Sequence, residues 1–127
     1  METEEDIEQL EKVIGQLKGL HQEISALAKK SPSDAINTFK LGLINKVVAL
    51  ANEVLGDSYM PFEGFTAFDE EAVPSTSDVA LVLTQYMEEA ERYRSDHVMF
   101  YAGSWYFRIN GQMTEIKTGP PSKVTKK

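Results

Sequence analysis

The pattern of apolar positions is strongest in residues 31–56, and it predicts the central helix of the fold. Two apolar rows recur there at spacings of three and four residues, so the apolar surface covers most of the helix. A helix this apolar needs covering on several sides, and we expect the flanking segments to pack around it. The residues that we expect to be almost fully buried are Phe39, Leu43, Val47 and Leu50.

The segments on either side of this helix also show helical spacing. Residues 4–30 repeat apolar positions in a heptad pattern wide enough for a core-facing bundle helix, with acids at the start and lysines at the end. Ser31 and Pro32 then suit the cap and first turn of the second helix. Such a short turn favours antiparallel packing of these two helices. A third helix is predicted from the capping residue Ser75 to about Tyr101, although residues 97–101 also suit a strand.

The apolar period changes to two in residues 104–118, around Asn110 and Gly111. An Asn-Gly pair between alternating apolar residues is the strongest short signal for a β-hairpin. A two-residue turn sets the register, and one face then becomes apolar. The predicted facing pairs are Ile109 with Gln112, Arg108 with Met113, Phe107 with Thr114, Tyr106 with Glu115, and Trp105 with Ile116.

These elements predict one mostly helical α+β domain over residues 1–118, with an antiparallel three-helix core and a C-terminal β-hairpin. The length of 127 residues and the 42% apolar content are enough for one core without metal or disulfide support. Residues 119–127 are rich in lysine, proline and glycine, and we expect a disordered basic tail there.

Residues 57–74 combine aromatic rings with acids, and they allow two interpretations. The rings can fix a compact loop on the helices, or they can be displayed as a binding surface beside the acids. Packing is favoured, because a loop of this length needs internal contacts to become ordered. The candidate partner-binding residues are Phe65, Phe68, Asp69, Glu70, Glu71 and, in the hairpin, Trp105.

Charge and composition exclude several classes of function. The net charge is −7, and residues 57–96 hold ten acids and two arginines, so direct binding of nucleic acid is not expected. The chain has no cysteine, which removes thiolate chemistry and fits a reducing cytoplasm. We see no export signal and no apolar run long enough to span a membrane.

No catalytic, metal or cofactor motif is present. His21 and His97 lie on apolar helical faces, and the residues three positions before them are Lys18 and Arg94, not the glutamates of a di-metal bundle site. We therefore predict hydrogen-bonded histidines, no resident metal and no cofactor.

The sequence favours a small acidic cytoplasmic protein that binds other proteins, either as a homodimer or with a different partner protein, for which a basic surface is one option. The first alternative is a small-molecule-binding protein or an enzyme, with a pocket between residues 57–74, His97 and the hairpin. The second alternative is an acidic mimic of nucleic acid that inhibits a basic partner.

Overall fold

The computed structural model describes residues 1–123 and contains three helices followed by a three-stranded antiparallel sheet of order β1-β2-β3. The predicted α+β fold, mostly helical with a C-terminal hairpin, is confirmed. No helix in the described part of the chain is long and apolar enough to cross a membrane. The elements are α1 (Glu4–Lys30), α2 (Thr38–Tyr59), a short 3-10 turn (Glu70–Ala72), α3 (Thr76–Ser95), β1 (Val98–Tyr101), β2 (Ser104–Ile109) and β3 (Gln112–Thr118).

Helix α1 has the bounds that its sequence pattern predicts. The Thr3 hydroxyl accepts a hydrogen bond from the Asp6 backbone N–H, and the Asp6 carboxylate accepts one from the Thr3 N–H. This reciprocal cap supplies partners for backbone groups that the first turn would leave unpaired. One face of the helix is buried, through Ile7, Leu10, Val13, Leu17 and Ile24.

Helix α2 begins later than predicted, because Ser31 ends α1 and does not cap α2. Residues 32–34 form a turn, and the chain then pairs with the segment before α3: the Ile36 N–H donates to the Pro74 carbonyl, and the Thr76 N–H donates to the Asp34 carbonyl. Pairing with the segment before α3 therefore competes successfully with helix formation here. The true cap is Asn37, whose side chain accepts from the Lys40 N–H at 2.8 Å.

Helices α2 and α3 run parallel to each other. Their starts meet where Ala35 forms an isolated β-bridge with Ser75. Their ends meet where Tyr59 stacks on Tyr93 at 4.7 Å and donates a hydrogen bond to Asp96. Helix α1 is antiparallel to both, and residues 60–75 must return along the length of the bundle.

The predicted burial of α2 is wrong in its choice of face. Phe39 is 76% exposed and Leu43 is 42% exposed, while Val47 and Leu50 are only half-buried. The other apolar row of α2 forms the core instead, because α1 and α3 both lie on the side that this row faces. Helix α2 therefore covers the extensive α1–α3 pair and is not the centre of the fold. The buried residues of α2 are Leu41, Ile44, Val48, Ala51 and Leu55.

The third helix ends at Ser95, so its predicted continuation to Tyr101 is wrong, and the strand interpretation of this segment holds. The Arg108 N–H donates to the His97 carbonyl at 2.9 Å, and β1 pairs along its whole length with β2. Ala102 and Gly103 both have positive φ and form the tight turn between the two strands.

The hairpin turn at Asn110 and Gly111 is confirmed, and the first two predicted pairs are present. The register then shifts by two residues, so that Trp105 faces Thr118 and Tyr106 faces Lys117. Thr114 occupies the gap in the ladder: its hydroxyl donates to the Phe107 carbonyl and accepts from the Ile116 N–H. A shift of two preserves the faces of the strand, whereas a shift of one would invert them.

Residues 119–123 lie along α3 and are named the strap here. Arg94 donates to the carbonyls of Gly119 and Pro120, at 2.9 and 2.8 Å, and Ser122 donates to the Glu91 carboxylate. This part of the predicted tail thus has specific contacts with the helix. The remainder of that prediction, residues 124–127, lies outside the described residues.

Glu91 holds Arg94 in the orientation that the strap requires. The Arg94 guanidinium donates to both oxygens of the Glu91 carboxylate, at 2.8 and 2.7 Å. These hydrogen bonds outweigh the effect of burial and lower the pKa of Glu91 to about 2.

Two neighbouring positions of α2 test which face is the core. Ile44→Ala should lower the free energy of unfolding by about 2 to 5 kcal/mol, because it leaves a cavity among fully buried side chains. Leu43→Ala should cost less than about 1 kcal/mol, because that side chain is partly in water. Urea unfolding measures both, and equal losses would contradict the assignment.

Acid titration tests the Glu91–Arg94 contact. The folded pKa is lowered from an ordinary value of 4.5, so this contribution to stability is complete above 4.5 and is lost as the pH falls toward 2. Wild type should therefore exceed Glu91→Gln in stability at about pH 6, and the difference should shrink by about pH 3. A difference that stays constant over this range in urea unfolding would contradict the contact.

Candidate functional site

Two aromatic rings of residues 57–74, those of Phe65 and Phe68, pack against the core. Phe65 and Phe68 are half-buried against the core and lie edge to face, with ring centroids 5.2 Å apart. Phe65 also lies 6.3 Å from the ring of the buried Tyr86. Both rings thus pack partly on the core, as the packing interpretation of this segment expects, and their role in binding a partner stays a prediction.

Two asparagines of α2 hold the returning backbone in place. Asn45 donates to the Phe68 carbonyl and accepts from the Phe68 N–H, at 3.0 and 2.8 Å. Seven residues later on the same helix face, Asn52 donates to the Phe65 carbonyl and accepts from the Tyr86 hydroxyl, at 2.9 and 2.7 Å. A primary amide both donates and accepts, so it can pair with the backbone N–H and C=O groups of a loop that has no helix or sheet partners.

The acids of this segment have a local structural role. The Asp69 carboxylate accepts from the Glu71 N–H at 2.9 Å and so caps the 3-10 turn, while Glu70 and Glu71 are exposed. No group of three or more histidines and acids that could hold a metal is found within residues 1–123. The acidic surface stays a predicted contact for a basic partner, and the nucleic-acid mimic stays a prediction with it.

Both histidines are hydrogen-bonded. His97 Nδ1 donates to the Tyr93 carbonyl at 2.7 Å, and burial lowers the pKa of His97 below its ordinary value of 6.5. The rings of Tyr59 and Tyr93 lie against His97, with centroids 6.4 and 4.8 Å from its ring. The pocket between residues 57–74, His97 and the hairpin stays a prediction. His21 contacts Thr84 and is half-buried between α1 and α3.

Trp105 belongs to an apolar face of the sheet, of which one part is buried against the core and another part is exposed. On this face Val98 faces Phe107, and both are buried against the core. Phe100 faces Trp105 in the next pair, with rings 5.3 Å apart, yet Phe100 is 57% exposed because no helix covers it. We name Phe100 and Trp105 the aromatic ledge.

The two edges of the sheet differ in charge. Strand β3 carries Glu115 and Lys117 on its exposed side, and charges of this kind protect an edge against pairing with another chain. Strand β1 reads Val-Met-Phe-Tyr and has no charged residue. Its outer edge bears no other strand in the described structure. The unprotected edge therefore belongs to the strand that carries Phe100, one of the two residues of the ledge.

The structure separates the predicted site residues into two places. Phe65, Phe68 and residues 69–71 lie in the returning segment along α2, whereas Trp105 lies on the sheet beyond the end of α3. Phe100 and Tyr101 were missed as surface residues, because the helical interpretation of 97–101 placed Phe100 or Tyr101 on the apolar stripe of α3. Searches of family descriptions, of curated proteins and of solved structures gave no match to this chain.

Removing one asparagine tests the role of these side chains. Asn52→Ala leaves the Phe65 carbonyl and the buried Tyr86 hydroxyl without their partners, which should cost at least about 1 to 3 kcal/mol in urea unfolding. Thr66→Ala is the matched control, because Thr66 is exposed on the same loop. Equal stabilities for the two variants would show that the loop is held by its rings alone.

Proposed function

We propose that this protein is a protein–protein interaction module that self-associates through the open edge of β1 and the aromatic ledge. The observation that carries the proposal is the uncovered Phe100 beside Trp105 on a strand with no protecting charge. Buried tryptophan and tyrosine commonly anchor interfaces, and an exposed strand edge can add a strand from another chain.

A second copy is the occupant that this edge fits best. Two β1 strands can pair antiparallel about a two-fold axis, so that one surface meets its own copy. The two sheets would then form one six-stranded sheet, with the two ledges against each other. At a net charge of −7, two copies repel at most contact surfaces, and an uncharged strand minimises this cost.

A basic partner remains the second candidate. The exposed Glu70 and Glu71 lie within the segment of strongest negative charge, and such a surface raises the rate of encounter with a cation-rich protein. The absence of cysteine from the chain supports the cytoplasm as the proposed location.

Sedimentation equilibrium of charge-bearing variants tests the self-association. Wild type should be dimeric at high micromolar concentration, and Phe100→Glu should be monomeric, because it places two like charges in a desolvated contact. Leu81→Glu is the matched control: Leu81 is also exposed, at 62%, but lies on α3 away from the sheet. The control should stay dimeric, and far-ultraviolet circular dichroism should show that all three proteins keep their helical fold.

Three other outcomes would contradict the proposed surface. A monomeric wild type with an intact fold would remove self-association altogether. A dimer that survives Phe100→Glu but dissociates with Phe39→Glu would move the contact to the exposed face of α2. Reversal of Asp69, Glu70 and Glu71 to lysine should leave the dimer unchanged, and dissociation of that variant would assign the contact to the acidic segment.

A further inference from the structure

A groove of about 590 Å³ lies between α1 and α3, with the strap as one of its walls. This volume is within the range of small-molecule sites, which are mostly apolar with a few oriented polar groups. The groove is distinct from the ledge, since neither Phe100 nor Trp105 lines it. Its apolar walls come from Ile14, Leu17, Met87, Ala90 and Pro120.

The charged residues around the groove are not all paired with one another. Arg94 pairs with Glu91 at 2.7 Å, and Lys123 lies 3.9 Å from Glu88. Lys18 has no ion-pair partner within 4.0 Å among residues 1–123. One uncompensated cation thus lines a largely apolar groove in a protein whose net charge is −7.

His21 lies one helical turn after Lys18 and also lines the groove. The Thr84 hydroxyl has one hydrogen, and it donates this hydrogen to the Ala80 carbonyl at 2.9 Å. In its other contact, which joins the hydroxyl to His21 Nε2 at 2.9 Å, Thr84 must therefore accept, and His21 Nε2 is the donor. Ser25 lies 3.2 Å from the same nitrogen. The ring is therefore oriented through Nε2, and Nδ1 has no hydrogen-bond partner in the described part of the chain.

We propose that this groove binds a small apolar molecule with a carboxylate head. Its apolar body lies against the partly exposed Ile14 and Met87, where water is displaced from apolar surface. Its carboxylate lies at Lys18, one helical turn before His21, whose ring also lines the groove. Charge complementarity selects the anion, because Lys18 is the cation that no acid of the groove neutralises.

Decanoate is a suitable probe, with decyltrimethylammonium as the ligand of equal chain length and opposite charge. Titrations followed by amide NMR, below the concentrations at which either probe forms micelles, should show decanoate binding with shifts at the groove residues. The ammonium probe should bind at least about tenfold more weakly, because its cationic head is repelled by Lys18 and cannot accept a hydrogen bond from it.

Two charge reversals on α1 provide the matched comparison. Lys18→Glu should weaken decanoate binding about tenfold or more and reverse the preference between the probes. Lys12→Glu changes the net charge equally, but Lys12 is exposed and does not line the groove, so its affinity should equal that of wild type. Both side chains are exposed, and neither variant should disturb the fold.

Other results would overturn the proposal. Equal affinity for the two probes would show that the head group is not recognised, and equal losses in the two lysine variants would reduce the effect to net charge. Shifts confined to the ledge or to the exposed face of α2 would place the apolar probe elsewhere. Phe100→Glu should bind decanoate normally, so failure of the dimer and failure of the groove can be told apart.

Discussion

The parallel orientation of α2 and α3 is the constraint on which the rest of the structure depends. Two parallel helices that follow each other in the chain require a connection that returns along their whole length. Such a connection carries backbone N–H and C=O groups that need partners wherever water is excluded. Asn45 and Asn52 supply them from one face of α2, and the Tyr86 hydroxyl links this contact to α3.

This arrangement also explains the uneven burial of α2. The helix has α1 and α3 on one side and the returning segment on the side of its asparagines, so two sides are covered and the rest of its surface is left in water. The uncovered surface contains Phe39 and Leu43, which an apolar pattern alone cannot distinguish from core residues. Apolar periodicity reports how wide a stripe is, but the neighbours decide which part of it is buried.

The parts of the fold that could be predicted from sequence are those that local chemistry determines. Helix α1 carries its own caps, and the Asn110-Gly111 turn carries its own positive φ angles. The start of α2 was mispredicted because a pairing between residues far apart in the chain, at Ala35 and Ser75, competes with the local cap. The end of α3 was mispredicted because helical spacing continues through His97 into a strand.

In the candidate site, too, the residues that local sequence determines could be predicted, and those that depend on tertiary structure could not. Trp105 could be identified from the hairpin pattern, and it lies at the ledge. Phe100 and the open edge of β1 could not be identified once the segment was interpreted as helix. The charged pair of Glu91 and Arg94 looked like an ordinary helix exterior, since the strap contacts depend on tertiary structure.

The most direct test of this account is a distance measurement between spin labels in the cysteine-free chain. The first distance is measured between labels at the exposed positions Thr38 and Ser77, which mark the starts of α2 and α3. The second distance is measured between labels at Asp57, near the end of α2, and Ser77. Dilution with unlabelled protein removes distances between copies. Parallel helices predict a short first distance and a second one longer by an amount approaching the length of α2, roughly 30 Å. A longer first distance than second would mean antiparallel helices and would contradict the account.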